Sequence, residues 1–146
     1  LGKYGDGSII ESHFSPYTVP AGSTAAAATT FKESYQKRWG TLPGMMGATT
    51  YEGVYIAADA IGRAGSLDKE KLRGALATTA MPELIEEMQG GKVTFSTDTR
   101  EAQFSLYMEQ LSWDEAKKEL RPRIVWPSDL SQAEFVLPDW YQPGSP

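Results

Sequence analysis

Two consecutive glycines, Gly90 and Gly91, mark the point at which this sequence changes its period. Upstream of them apolar residues recur every three or four positions, the spacing of one helix face. Downstream they recur every second position, the spacing of one strand face. Adjacent glycines suit the interior of neither element. The chain is therefore expected to be an α/β protein with helices in the middle and strands towards the end.

The helical part divides into segments by its own punctuation. Ser23 is placed to cap a helix running to about Trp39, with Ala28, Phe31 and Tyr35 on one face and Gly40 as its stop. After the Pro43-Gly44 turn, Tyr51, Val54, Tyr55, Ala58 and Ile61 form the apolar stripe of a second helix that ends near Gly65. Ser66 is the expected cap of a third helix. In it Asp68 and Glu70 complement the dipole of the first turn, and Leu72, Ala75 and Leu76 point inward. Pro82 to Gln89 is expected to add one short helical turn.

The strand signals lie at the two ends. Ser8 to Phe14 is β-branched and aromatic and is bounded by Gly5-Asp6-Gly7 and Pro16. Val93 and Phe95 alternate with polar neighbours, as do Phe104, Leu106 and Met108, which predicts a hairpin across the polar turn Ser96 to Glu101. Trp113 to Leu120 is charged and reads as a loop. Arg123 to Trp126 reads as a last strand halted by Pro127, with an irregular Pro-rich tail beyond it.

Composition excludes several kinds of chemistry. The 146 residues include no cysteine, so disulfides, thiol catalysis and thiolate-held zinc are ruled out. A net charge of −5 with scattered Lys and Arg argues against a nucleic-acid partner. No apolar run reaches the roughly 20 residues of a membrane span. His13 is the sole histidine, no Gly-x-Ser-x-Gly elbow accompanies it, neither a Walker loop nor a Gly-x-Gly-x-x-Gly after a strand occurs, and no helix is expected to follow the clustered Gly2, Gly5 and Gly7.

The acidic clusters Glu83/Glu86/Glu87 and Asp114/Glu115 could do acid–base work or hold calcium, but they read more simply as solvated faces. Trp39, Trp113, Trp126 and Trp140 read as core and interface rather than as a sugar platform. Met45-Met46-Gly47 places flexible thioethers beside a glycine at a helix start, either as an adaptable apolar lining or as ordinary packing.

The order of these segments resembles the type I periplasmic-binding-protein family, in particular its leucine/isoleucine/valine-binding group. The resemblance is carried by Phe31-Lys-Glu-Ser-Tyr35 through Trp39-Gly40, by the Pro43 turn, and by Ala48-Thr-Thr-Tyr51-Glu-Gly. It continues through Ala57-Ala58-Asp59-Ala60-Ile61, Arg63-Ala64-Gly65-Ser66-Leu67-Asp68 and Lys71-Leu72-Arg73-Gly74-Ala75-Leu76. Gly90-Gly91-Lys92-Val93-Thr94-Phe95, Ile124-Val125-Trp126-Pro127 and Pro138-Asp139-Trp140 complete it.

The match begins partway through the family pattern, and Leu1 is neither an initiator Met nor the start of a signal-peptide pattern, so either processing or truncation is expected upstream. A C-terminal portion of a longer protein is therefore expected. The resemblance implies a two-lobed ligand-binding domain of type I periplasmic-binding-protein fold, to which this portion gives helices in one lobe and strands in the other. Residues 19–91 would be the helical part of the first lobe, and 1–18 with 92–146 the strand-rich parts near the hinge and second lobe.

The resemblance further implies a non-enzymatic, periplasmic or extracellular receptor of an ABC uptake transporter for a branched-chain amino acid or a similar small polar solute. Its partners would be that ligand and a membrane permease; no cofactor and no metal are implied. Exposed sheet edges would be covered either by the missing part of the protein or by a second copy of the chain, a homodimer. The segment before Tyr51 matches a cleft-facing stretch of the family, which makes Met46 and Gly47 the ligand-binding candidates. An amide or urea sensor, or a receptor ectodomain of the same fold, is the alternative, and an enzyme is the weaker third reading.

Overall fold

The computed structural model describes residues 2–19 and 21–138. The elements are a 3-10 turn Gly2–Gly5, β1 Ile9–Ser12, α1 Ala25–Trp39, α2 Met45–Ala64, α3 Lys69–Ala77, β2 Ala80–Pro82, β3 Lys92–Thr94, β4 Tyr107–Asp114 and β5 Glu119–Trp126. They fall into two compact units, Leu1–Ser12 with Leu106–Pro146, and His13–Ser105. The chain thus passes from one unit to the other at Ser12–His13 and again at Ser105–Leu106.

The first unit is an antiparallel sheet in the order β1-β4-β5. Ile9 pairs with Gln110 and Ser12 with Tyr107, while Glu109 faces Ile124 beyond an irregularity at Met108/Glu109. Tyr107 and Ile124 are fully buried. Where a charged loop was expected, the β4–β5 hairpin extends to Asp114 and restarts at Glu119. Asp114 Oδ1 accepts the N–H groups of Ala116 and Lys117 at 3.0 Å, and Lys118 turns the chain with φ 55°. A short polar turn with one left-handed residue is a common way to close a hairpin, so the charges mark its solvated tip. Gln132 and Ala133 N–H donate to Ile124 O at 2.8 and 3.2 Å, folding the following segment back along β5. Asp139 and Trp140 lie outside the described residues.

The second unit carries the helices. Phe14, Ala28, Phe31, Ala48 and Ile85 form its core, with Val19, Tyr35 and Met45 against it. The inward face expected for α1 is the observed one. Gly40 and Gly65 end α1 and α2 in left-handed conformation, each N–H returning to a carbonyl of the last turn. The caps differ from expectation. Thr24 stands at the N-cap of α1 without a side-chain bond, and the Ser23 hydroxyl instead donates to Glu83 at 2.6 Å. Asp68, not Ser66, caps α3 by accepting the Glu70 and Lys71 N–H groups at 3.1 Å.

Two larger expectations are corrected. The segment after Pro82 is not helical: Ala80–Pro82 is a short strand paired with Lys92–Thr94, and Val93 is buried in that pairing. A proline at a strand end loses no ladder bond, which explains how Pro82 is accommodated. β3 therefore pairs backward with β2 rather than forward with the 104–108 segment, and Gly90 and Gly91, at φ 87° and 72°, make the turn that returns the chain.

The second correction concerns α2. Its buried residues are Ala48, Glu52 and Ala60, whereas Val54, Tyr55 and Ile61 of the expected stripe are 64, 47 and 42% exposed. The interior of this unit takes the small-residue face of α2, and the larger apolar face lies on the surface of the described chain.

Candidate functional site

Met46 and Gly47 lie in the first turn of α2, behind Gly44, whose carbonyl accepts the N–H groups of Gly47 and Ala48 at 3.0 and 3.2 Å. The two methionines divide the roles expected of them together. Met45 packs against the core and Met46 is 69% exposed. A Cβ at Gly47 would meet Pro43 only at ordinary contact distance, so the glycine is not required there by a close approach. This exposed thioether at a helix start can offer a deformable apolar contact to an aliphatic group.

Two clefts lie elsewhere, each within one unit. A cleft of about 710 Å³ in the first unit is lined by Lys3, Asp6, Gln110, Arg123 and Glu134 among others. A groove of about 470 Å³ in the second unit runs between α1 and α2 over Phe31, Tyr51, Tyr55 and Leu84. Neither is lined by Met46 or Gly47.

The most unusual chemistry of the second unit is a buried acid pair. Glu52 and Glu86 are each 1% exposed. Glu52 Oε1 accepts the backbone N–H groups of Ile85 and Glu86 at 2.8 and 2.7 Å, fixing the 85–86 segment to α2. Glu86 Oε1 and His13 Nδ1 share a hydrogen bond of 2.7 Å, and the Thr49 hydroxyl lies 3.5 Å from the same oxygen. His13 in turn stacks on Phe104, ring centres 4.5 Å apart.

The remaining oxygens, Glu52 Oε2 and Glu86 Oε2, are buried without an assigned hydrogen-bond partner. Burial pushes the Glu52 carboxyl up to about 7. The two backbone N–H groups oppose that rise, and the neighbouring Glu86 carboxylate adds to it. Glu52 therefore stays protonated through mildly acidic pH. Among the described residues no group of three or more His, Asp or Glu side chains is arranged to hold a metal ion.

The reading of Glu83, Glu86 and Glu87 as a solvated face is thus corrected at Glu86, and Glu52 was not singled out at all. A signal for Glu52 was present. It stands four residues after Ala48 and eight before Ala60, on the small-residue face of α2, and a lone carboxylate among such residues marks a helix face that meets another backbone closely.

A family described as periplasmic binding protein matches residues 3–118. Among solved structures, the chain is similar to a leucine-binding protein from Thermotoga maritima, at 22% identity and TM-score 0.63, covering 88% of this chain and 33% of that one. It is also similar to an ABC-type branched-chain amino acid transporter from Rhodopseudomonas palustris, at 20% identity and TM-score 0.58, covering 89 and 33%. A third is a leucine-, isoleucine-, valine-, threonine- and alanine-binding protein from Brucella ovis in closed conformation, at 16% identity and TM-score 0.60, covering 90 and 34%. At these identities the likeness is one of fold, and the chain spans about a third of the length of the structures it matches. No curated protein sequence matches it significantly.

Proposed function

The chain belongs to the periplasmic binding protein family, and from that premise we propose that it is part of an extracytoplasmic receptor that captures a small solute and presents it to an ABC permease in the membrane. The observation that carries this reading is the family match over residues 3–118, joined to a fold shared with structures whose names specify branched-chain amino acids. The favoured solute is a branched-chain amino acid or a similar small polar molecule, bound and released unchanged. Capture of that kind needs shape and a few fixed polar groups rather than a nucleophile and base, in keeping with a sequence that has one histidine and no cysteine.

Met46 and Gly47 are the proposed contacts from this chain, with the exposed Met46 thioether facing the aliphatic part of the solute. The rest of the binding groups would come from outside these residues. Because one scaffold serves many solutes, the test is a thermal-shift screen of the full-length protein against leucine, isoleucine and valine on one side and acetamide and urea on the other. Stabilisation by the amino acids alone supports the reading. Stabilisation by the amides alone replaces it with an amide sensor of the same fold, and a response to neither class removes both.

A further inference from the structure

The 85–89 segment is held on two sides. On one, Glu52 takes the N–H groups of Ile85 and Glu86. On the other, Gln89 N–H donates to Gln103 O and Ser105 N–H to Glu87 O, both at 2.8 Å, and Met88 bridges to Phe104. Residue 105 is where the chain leaves this unit, and His13, which stacks on Phe104 and bonds Glu86, is where it enters. Both passages are therefore rooted on one short segment, and that segment is fixed to α2 through Glu52.

We propose that Glu52 and Glu86 form a proton-binding site: one proton, taken from solvent, is held between the two carboxyl groups, and its loss loosens the 85–89 segment from α2 and with it both chain passages. The argument is one of hydrogen-bond accounting. Two carboxylates offer only acceptors, and Glu52 Oε2 and Glu86 Oε2 are both buried without a donor. A single proton on one of them supplies a donor for the other and removes one of two like charges from a site closed to water. Only an O–H bond forms or breaks, and the proton returns to solvent when pH rises.

His13 faces the pair from the entering chain, and Thr49, uncharged, from α2. Of the flanking carboxylates of the same segment, Glu83 is engaged elsewhere, while Glu87 Oε1 is itself buried without a hydrogen-bond partner. Glu83 accepts from Met88 N–H at 2.8 Å and from Ser23, and the Glu87 carboxylate lies so close to Gly22 that a Cβ there would overlap it. Among the described residues no Lys or Arg forms an ion pair with Glu52 or Glu86. Among the described residues their charge is therefore offset by His13, Thr49 and the backbone N–H groups of Ile85 and Glu86, and by the proton. The consequence for solute capture, a receptor whose chain passages are held firmly in mild acid and less firmly above neutrality, rests on the proposed receptor reading; the proton site itself does not.

The test uses the full-length protein and no solute, so its outcome is separate from that of any binding assay. Infrared spectroscopy at pH 6 should show the C=O band of a buried protonated carboxyl that disappears in Glu52→Gln. Hydrogen exchange at Ile85, Glu86 and Ser105, corrected for intrinsic rates, should lose protection by about tenfold per pH unit above pH 7 in the wild type and stay flat in Glu52→Gln. Absence of the protonated band, or the same pH profile in both proteins, overturns the proposal. Should Glu52→Gln fail to fold, the wild-type band decides, assigned through its loss or shift in Glu86→Gln.

Discussion

Gln110 and Val136 exchange two hydrogen bonds in the manner of paired strand residues. Gln110 Nε2 donates to Val136 O at 2.7 Å, and Val136 N–H donates to Gln110 Oε1 at 3.0 Å. A side-chain amide here stands in for a backbone peptide, and it holds the segment after β5 against β4. Gln110→Leu keeps the bulk but leaves both Val136 groups without this partner. The expected cost is about 1–3 kcal/mol, read as a lower unfolding midpoint together with faster hydrogen exchange at Val136. Unchanged exchange there would show that the amide does not hold the segment.

Arg63 joins the end of α2 to the end of α3. Its guanidinium pairs with Asp59 at 2.7 Å and donates to Ala75 O at 2.6 Å and Thr79 Oγ1 at 3.0 Å. The planar fork spreads its donors over three nitrogens and so spans acceptors on both helices, whereas an ammonium has all its donors on one nitrogen. Arg63→Lys should therefore recover little of the loss seen in Arg63→Ala, each costing about 1 kcal/mol, with the increase in hydrogen exchange confined to α3. Full rescue by Lys would reduce the contact to the surface ion pair with Asp59.

The inner face of α2 is its small-residue face. Ala48→Leu, at a fully buried position, should destabilise these 146 residues by about 1–3 kcal/mol through overpacking. Val54→Lys, at a position 64% exposed, should change stability by less than about 0.5 kcal/mol. Chemical denaturation of both variants checks the assignment, and the reverse order would restore the Tyr51/Val54/Tyr55 stripe as the buried one.

That stripe shows where sequence reading stops. Helix ends at Gly40 and Gly65 were legible because a left-handed cap is a local requirement that glycine meets cheaply. The face of α1 was legible because Ala28, Phe31 and Tyr35 have no apolar competitor on the opposite side. On α2 two faces compete. Ranking by side-chain size selects the aromatic one, whereas close approach of the 85–86 backbone needs the small residues around Glu52. The β2–β3 pairing and the acid pair escaped for a related reason. A three-residue strand ending in Pro82 acquires meaning only from its partner ten positions on, and a carboxylate's partners 33 and 34 residues away leave no local trace. Met46 came from resemblance, and nothing in its local geometry singles it out from other exposed apolar residues.

Glu52 gives the stability of the second unit a definite pH dependence. Its carboxyl titrates near 7 when folded, against an ordinary value of 4.5. The folded state thus binds the proton more tightly than the unfolded chain. The stabilisation is fully present below about pH 4.5 and is lost as pH rises towards 7. Allowing for partial solvent screening, the loss is on the order of 2 kcal/mol. Denaturation of wild type and Glu52→Gln at pH 5 and pH 8 should show a larger fall for the wild type, and equal falls would remove Glu52 as the cause.

The most direct test of the receptor account is isothermal titration calorimetry of the full-length protein with L-leucine, followed by recovery of the ligand. The account predicts saturable binding at one site per chain, leucine recovered unaltered, and weaker binding in Met46→Ala at unchanged stability. No binding of leucine, isoleucine or valine, or recovery of a chemically altered product, would contradict it.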